Sequence, residues 1–149
     1  MGTNAMRSLF VMAGIAALAL NASNAAAQQQ VSLEAYFYPD PHEVGVFSGG
    51  DRDAGRAFGG ACVGMVSETP TVVVSFASNG GPLSFRIISN SQTSLVIKGP
   101  DGRVQCDDAA DGSGPTVAWP SAPSGQFEVW IGAVGGASSG KLQISEVPA

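Results

Sequence analysis

The chain has 149 residues, of which 44% are hydrophobic, 13% charged and 20 glycine. Seven Lys and Arg against 12 Asp and Glu give a formal net charge of −5. This composition excludes a disordered polyelectrolyte and a heptad coiled coil, and its acidic balance speaks against binding nucleic acid or a membrane surface through a basic patch.

From the amino terminus, residues 1–27 read as a secretory signal peptide. Arg7 supplies the positive region, Leu9 to Leu20 form an apolar run, and Ala25-Ala26-Ala27 offers a small-residue cleavage pattern before Gln28. A retained anchor is the alternative, but the run falls short of the ~20 residues that span a bilayer. No cysteine follows it that would mark a lipoprotein. The expectation is an exported protein, periplasmic or extracellular, with no membrane span after cleavage and one mature domain at residues 28–149.

The mature part shows no sustained helical periodicity. Short β-rich runs alternate with Gly, Pro, Asn, Asp and Ser clusters, which is the strand signature. The first predicted strand is Val31–Tyr38. From Asp40 to Gly60, prolines and glycines predict a long loop wrapping over the fold. Further strands are predicted at Ala61–Val66, Thr71–Ala77, Leu83–Ile88, Ser94–Lys98, Arg103–Cys106, Thr116–Trp119, Gln126–Ile131 and Lys141–Ser145. Apolar alternation is clearest in Leu83, Phe85, Ile87 and in Phe127, Val129, Ile131, as a half-buried sheet requires. Asn79-Gly80-Gly81-Pro82 and Gly99-Pro100-Asp101-Gly102 supply turn chemistry between them. Eight or nine short strands predict an all-β, antiparallel sandwich of jelly-roll type, with a small closed barrel as the alternative.

The only cysteines are Cys62 and Cys106. An even count in an exported chain predicts one disulfide, with two buried free thiols as the alternative. Two cysteines and the single His42 do not make a four-ligand zinc site.

The segments Ser94-Leu-Val-Ile-Lys-Gly-Pro-Asp-Gly-Arg103, Cys106-Asp-Asp108, Pro123-Ser-Gly-Gln-Phe-Glu-Val-Trp-Ile-Gly132 and Leu142-Gln-Ile-Ser-Glu146 resemble bacterial pre-peptidase C-terminal (PPC) domains. Together with Gly59-Gly60-Ala61-Cys62-Val63-Gly64, they are similar to a group of small exported proteobacterial proteins of PPC-like fold. The resemblance covers residues 44–146. It implies a jelly-roll-like sandwich and the accessory roles of such domains, which are aiding secretion, binding calcium or attaching to an insoluble substrate.

Catalysis finds little to work with. A Ser-His-Asp triad would have to use His42, in the Pro/Gly-rich loop, and there is no Gly-x-Ser-x-Gly elbow. Asp111-Gly-Ser-Gly114 is too isolated a match to a protease nucleophile loop. No pair among Glu34, Glu68, Glu128 and the aspartates has a reason to face another across a cleft. A non-enzyme is expected.

Two candidate sites remain. Asp101, Asp107, Asp108 and Asp111 form a candidate calcium site, since calcium takes several hard oxygens. The alternative is a turn in which Asp107 and Asp108 cap backbone amides. Among the aromatics Tyr36, Phe37, Tyr38, Trp119 and Trp130, the two tryptophans are the candidate ligand-stacking residues, with core packing as the alternative. Trp130 is predicted to point away from the face of Phe127, Val129 and Ile131, while Tyr36–Tyr38 could form an edge strand that pairs with another chain. The functional expectation is an exported non-catalytic binding or accessory module, stabilised by calcium, for a protein or polysaccharide ligand. The alternative is an envelope-associated structural or interaction protein, including an inhibitor of a secreted enzyme, and a secreted peptidase ranks last.

Overall fold

The computed structural model describes residues 28–148, so the expected signal peptide at 1–27 lies outside the described residues. In chain order the elements are β1 (Gln29–Glu34), β2 (His42–Phe47), β3 (Arg52–Asp53), α1 (Ala54–Phe58), β4 (Met65–Val66), β5 (Val72–Ala77), β6 (Leu83–Ser89), β7 (Thr93–Lys98), β8 (Val104–Asp107), β9 (Thr116–Trp119), β10 (Gly125–Ala133) and β11 (Ser139–Ser145). They form two sheets. In the larger one β10 pairs with β5, which carries β1, and with β7, which carries β8. The short β4 joins β10 at Ala133 and carries β3. The smaller sheet runs β2-β11-β6-β9.

Alternation along the strands explains why the sheets stack. Phe127, Val129 and Ile131 of β10 and Leu95 and Ile97 of β7 share a core with Leu83, Phe85 and Ile87 of β6 and Leu142 and Ile144 of β11. Phe85 and Phe127 meet across the gap with ring centroids 5.4 Å apart. Each such side chain, removed from water, contributes roughly 1.5–3 kcal/mol. The expected sandwich is what the structure shows.

Four expectations need correction. The strand count is eleven among the described residues, above the eight or nine expected, because two-residue pairings such as β3–β4 carry no periodicity. The sandwich is not wholly antiparallel, since β1 runs parallel to β5 in register Gln29↔Val72. The long loop at 40–60 holds an edge strand, β2, and the helix α1. Val44 and Val46 face the core, while Gly45 stands on the open face, where an added Cβ would meet nothing within 4 Å. Finally, only Met65 and Val66 of the predicted strand Ala61–Val66 pair with neighbours.

Residues 52–64 instead cover the outer face of the larger sheet. Asp53 caps α1 by accepting from the Arg56 amide at 2.9 Å, and Gly59, at φ +82°, ends it. Beneath lies a second apolar cluster of Ala54, Cys62, Val66, Val96 and Trp130. The Cys62–Cys106 disulfide, with Cα atoms 5.3 Å apart, fastens this segment to β8. At the start of the cover, Gly50 lies against the Val66 carbonyl so closely that any side chain would displace backbone.

Candidate interaction surface

Beyond Glu34 the chain leaves the sheet abruptly. The Ala35 amide makes a last bond to the Ala77 carbonyl at 2.8 Å. Tyr36 then takes φ +69°, a left-handed conformation rare for a residue with a Cβ. This turn ends the strand four residues before its predicted end at Tyr38. Holding an aromatic residue there costs about 1 kcal/mol or more, so contacts elsewhere must hold it.

Those contacts come from both sides. Glu146, just after β11, accepts the Tyr36 amide on its carboxylate at 2.6 Å. The Glu146 amide in turn donates to the Asp40 carboxylate at 3.1 Å. One residue thus clasps both arms of the loop, through hydrogen bonds strengthened by ionised acceptors. Between the arms, Phe37 turns inward and meets Phe76 edge-on at 6.5 Å.

With Phe37 anchored, its two neighbours project outward. Tyr36 is 84% and Tyr38 96% exposed. An open groove lined by Ser32, Leu33, Glu34 and Ala77 runs along β1 to their rings. Residues 28–51 include Glu34, Asp40, Glu43 and Asp51 but no Lys or Arg. The projecting feature is therefore aromatic at its tip and acidic around it.

The residues singled out from sequence are placed otherwise. Trp119 and Trp130 are 4% and 6% exposed, so neither can stack on a ligand from solvent. Trp119 meets Phe127 edge-on at 5.0 Å inside the sandwich. Trp130 does point to the opposite face, as expected, but Phe58 of the covering segment lies over it, with centroids 4.7 Å apart. Both rings take the core-packing alternative, because each can bury a large apolar area there.

The four aspartates do not converge. Asp101 sits in the β7–β8 turn, whereas Asp107 is the last residue of β8 and Asp108 and Asp111 follow it at that other end. Asp101 accepts from the Arg103 amide at 3.0 Å, and Asp108 from that of Ala110 at 3.2 Å. Asp107 accepts from the amides of Ala109 at 3.2 Å and Thr116 at 2.7 Å. Asp111 accepts from both the amide and the hydroxyl of Ser113, which lowers its pKa below the ordinary carboxylate value. Among the described residues, no three His, Cys, Asp or Glu side chains gather as a metal site would require. The arrangement is the amide-capping alternative, and these residues do not fit a calcium ion as they stand.

His42 and the Asp111–Ser113 pair are also apart. His42 begins β2 at one edge of the smaller sheet, and Ser113 precedes β9 at the other. With β11 and β6 between them, three strand spacings separate those edges by about 14 Å, beyond proton-transfer reach. On the same sheet, Glu43 accepts from Lys141 and Gln143, each at 2.9 Å. The Lys141 hydrogen bond is the main reason its pKa lies below the ordinary value.

No protein-family model matches the chain, and no curated protein matches it in sequence. Among solved structures it is similar to the crystal structure of Aeromonas hydrophila PliG, a periplasmic lysozyme inhibitor of g-type lysozyme. The TM-score is 0.39 and the sequence identity 13%, over 80% of this chain and 98% of that one.

Proposed function

We propose that this protein is an exported, non-catalytic binding module that grips a protein partner through the Tyr36–Tyr38 loop. The observation that carries the reading is a loop held from two sides while it presents two almost fully exposed tyrosines. Tyrosine gives large contact area for little lost side-chain freedom, and a loop ordered beforehand costs less to bind. Glu34, Asp40 and Glu146 around the tip favour a partner face rich in Lys and Arg. A secreted enzyme whose cleft accepts the loop, and is thereby inhibited, is one form such a partner takes. The motifs in residues 44–146 support a PPC-like assignment for the module, and the Ala25–Ala27 pattern supports export with cleavage before Gln28.

The test places a photo-crosslinking phenylalanine analogue at position 38 in the exported protein and irradiates the intact cell envelope. A discrete adduct to one protein is expected. Replacing Tyr36 with Ala should abolish it, while the same probe at exposed Val104 of β8, across the larger sheet from β1, gives none. Adducts of equal yield from both positions, or none from position 38, would refute the reading.

A further inference from the structure

We propose that β1 pairs with β1 of a second copy of this chain, antiparallel about a two-fold axis at Ser32, joining the larger sheets of two molecules into one. The proposal goes beyond the tyrosine loop and rests on the backbone edge of β1.

It begins with the hydrogen-bond directions of the edge strand. The Gln29 amide donates to Thr71 and the Ala35 amide to Ala77, so odd-numbered residues turn their backbone groups toward β5. In a parallel ladder the intervening residues face the other way. Gln30, Ser32 and Glu34 therefore direct their N–H and C=O groups at the free edge. Nothing in Gln-Gln-Val-Ser-Leu-Glu blocks that edge: it contains no proline, which would remove an outward N–H. The adjoining edge of β2 differs, because the Gln29 side chain caps the Gly45 carbonyl at 2.7 Å.

The side chains select a second copy as the occupant. An antiparallel pair brings residues of the same sheet face together, and in a homodimer it must be self-complementary. Centring the axis on Ser32 sets Ser32 opposite Ser32, Val31 opposite Leu33 and Gln30 opposite Glu34. Val31 and Leu33 both pack against the core within one molecule, so the apolar interior runs on across the seam. No like charges oppose each other, and the amide of Gln30 can donate to the carboxylate of Glu34. The register also makes Gln30, Ser32 and Glu34 the directly hydrogen-bonded positions, which are the residues whose backbone groups are free. Tyr36 and Tyr38 lie past the paired stretch and stay available.

Sedimentation equilibrium of the purified protein over a concentration series should show single chains in equilibrium with a species of twice the mass. Ser32→Pro removes an outward N–H that β5 does not use, so this variant should keep the native near-ultraviolet spectrum and sediment as single chains. Gln30→Lys places an ammonium opposite Glu34 of the second copy, and should tighten association about fivefold, an advantage that high salt removes. A wild-type protein that remains a single chain at every concentration overturns the proposal and leaves the edge bare or open to a foreign strand. So does a natively folded Ser32→Pro variant that still dimerises, or a Gln30→Lys variant that associates more weakly.

Discussion

Replacing both cysteines, as Cys62→Ala with Cys106→Ala, tests whether the covering segment is held chiefly by its covalent tie. The bridge spans 44 residues, and on the chain-entropy model closing such a loop in the unfolded state is worth about 4 kcal/mol. Other ties are few: β3 and β4 pair over two residues each, and Asp53 caps one short helical turn. The double variant should therefore lose about 4 kcal/mol in urea unfolding, with a Tm lower by roughly 12–20 °C for a domain of this size. Its m-value should rise, since an unbridged denatured chain is less compact. In a Trp119→Phe background, emission reports Trp130 alone, and acrylamide should quench it more readily once Phe58 and the segment above it loosen. A loss below about 1 kcal/mol, against the loop-closure figure, would refute the entropy argument. Unchanged quenching of Trp130 would show that packing, rather than the bridge, keeps the segment in place.

Further outcomes follow from single contacts. Asp107→Ala strands the amides of Ala109 and Thr116, and should cost about 1–2 kcal/mol for a half-buried charged acceptor; thermal melts should show the same loss in calcium and in EDTA, and a loss confined to calcium would restore a metal role. Ala109 sits at φ +51°, so Ala109→Gly should stabilise the protein by about 0.5–1 kcal/mol, read by denaturant midpoint. Glu43 has a lowered pKa, so its pairing supports the fold at pH above the ordinary carboxylate range and is lost as pH falls through the lowered value. In Lys141→Met, carbon-13 NMR should show Glu43 titrating closer to its ordinary value, and an unmoved titration would refute the assigned cause. Phe37→Ala should destabilise the domain by about 1–3 kcal/mol and weaken the position-38 crosslink, because the loop loses its inward anchor.

Most of the sandwich was legible because its strands bury one face and expose the other. Thr116–Trp119 agrees with β9 residue for residue, and β5, β6, β7, β8, β10 and β11 lie within two residues of their predicted ends. Failures have local causes. In β2, Gly45 takes the outer position where a polar side chain would have completed the alternation, and Pro39 and Pro41 make the flank look irregular. Around Cys62, apolar residues pack onto the outside of a sheet rather than joining it, and Gly64 at φ +94° breaks the extended path. The parallel partnership of β1 and β5 depends on a crossover through the whole of β2 to β4, and no local pattern encodes it.

The site was harder to read for a reason that lies in distance along the chain. Its clasp joins Tyr36 to Glu146, 110 residues away, and Glu146 to Asp40, 106 residues away. Neither acid stands out locally among 12. The tryptophans, in contrast, were visible as residues for stacking or for the core, with nothing local to choose between the two. A two-layer fold chooses the core, because the largest apolar faces fill the gap between sheets and beneath its cover. Tyr36 and Tyr38 keep the outward phase of Ser32 and Glu34, and φ +69° at Tyr36 turns the chain off the sheet while that phase continues. Phe37 then takes the only inward position of the three. A loop that spends backbone strain to keep two aromatic rings in water has a poor account as packing and a sound one as a contact surface. The strain and the exposure meet at one residue, so Tyr36→Gly separates them: it relieves the left-handed conformation, should stabilise the fold, and should still weaken capture by the probe at position 38. Capture undiminished in a more stable variant would show that Tyr36 serves the turn and not the partner.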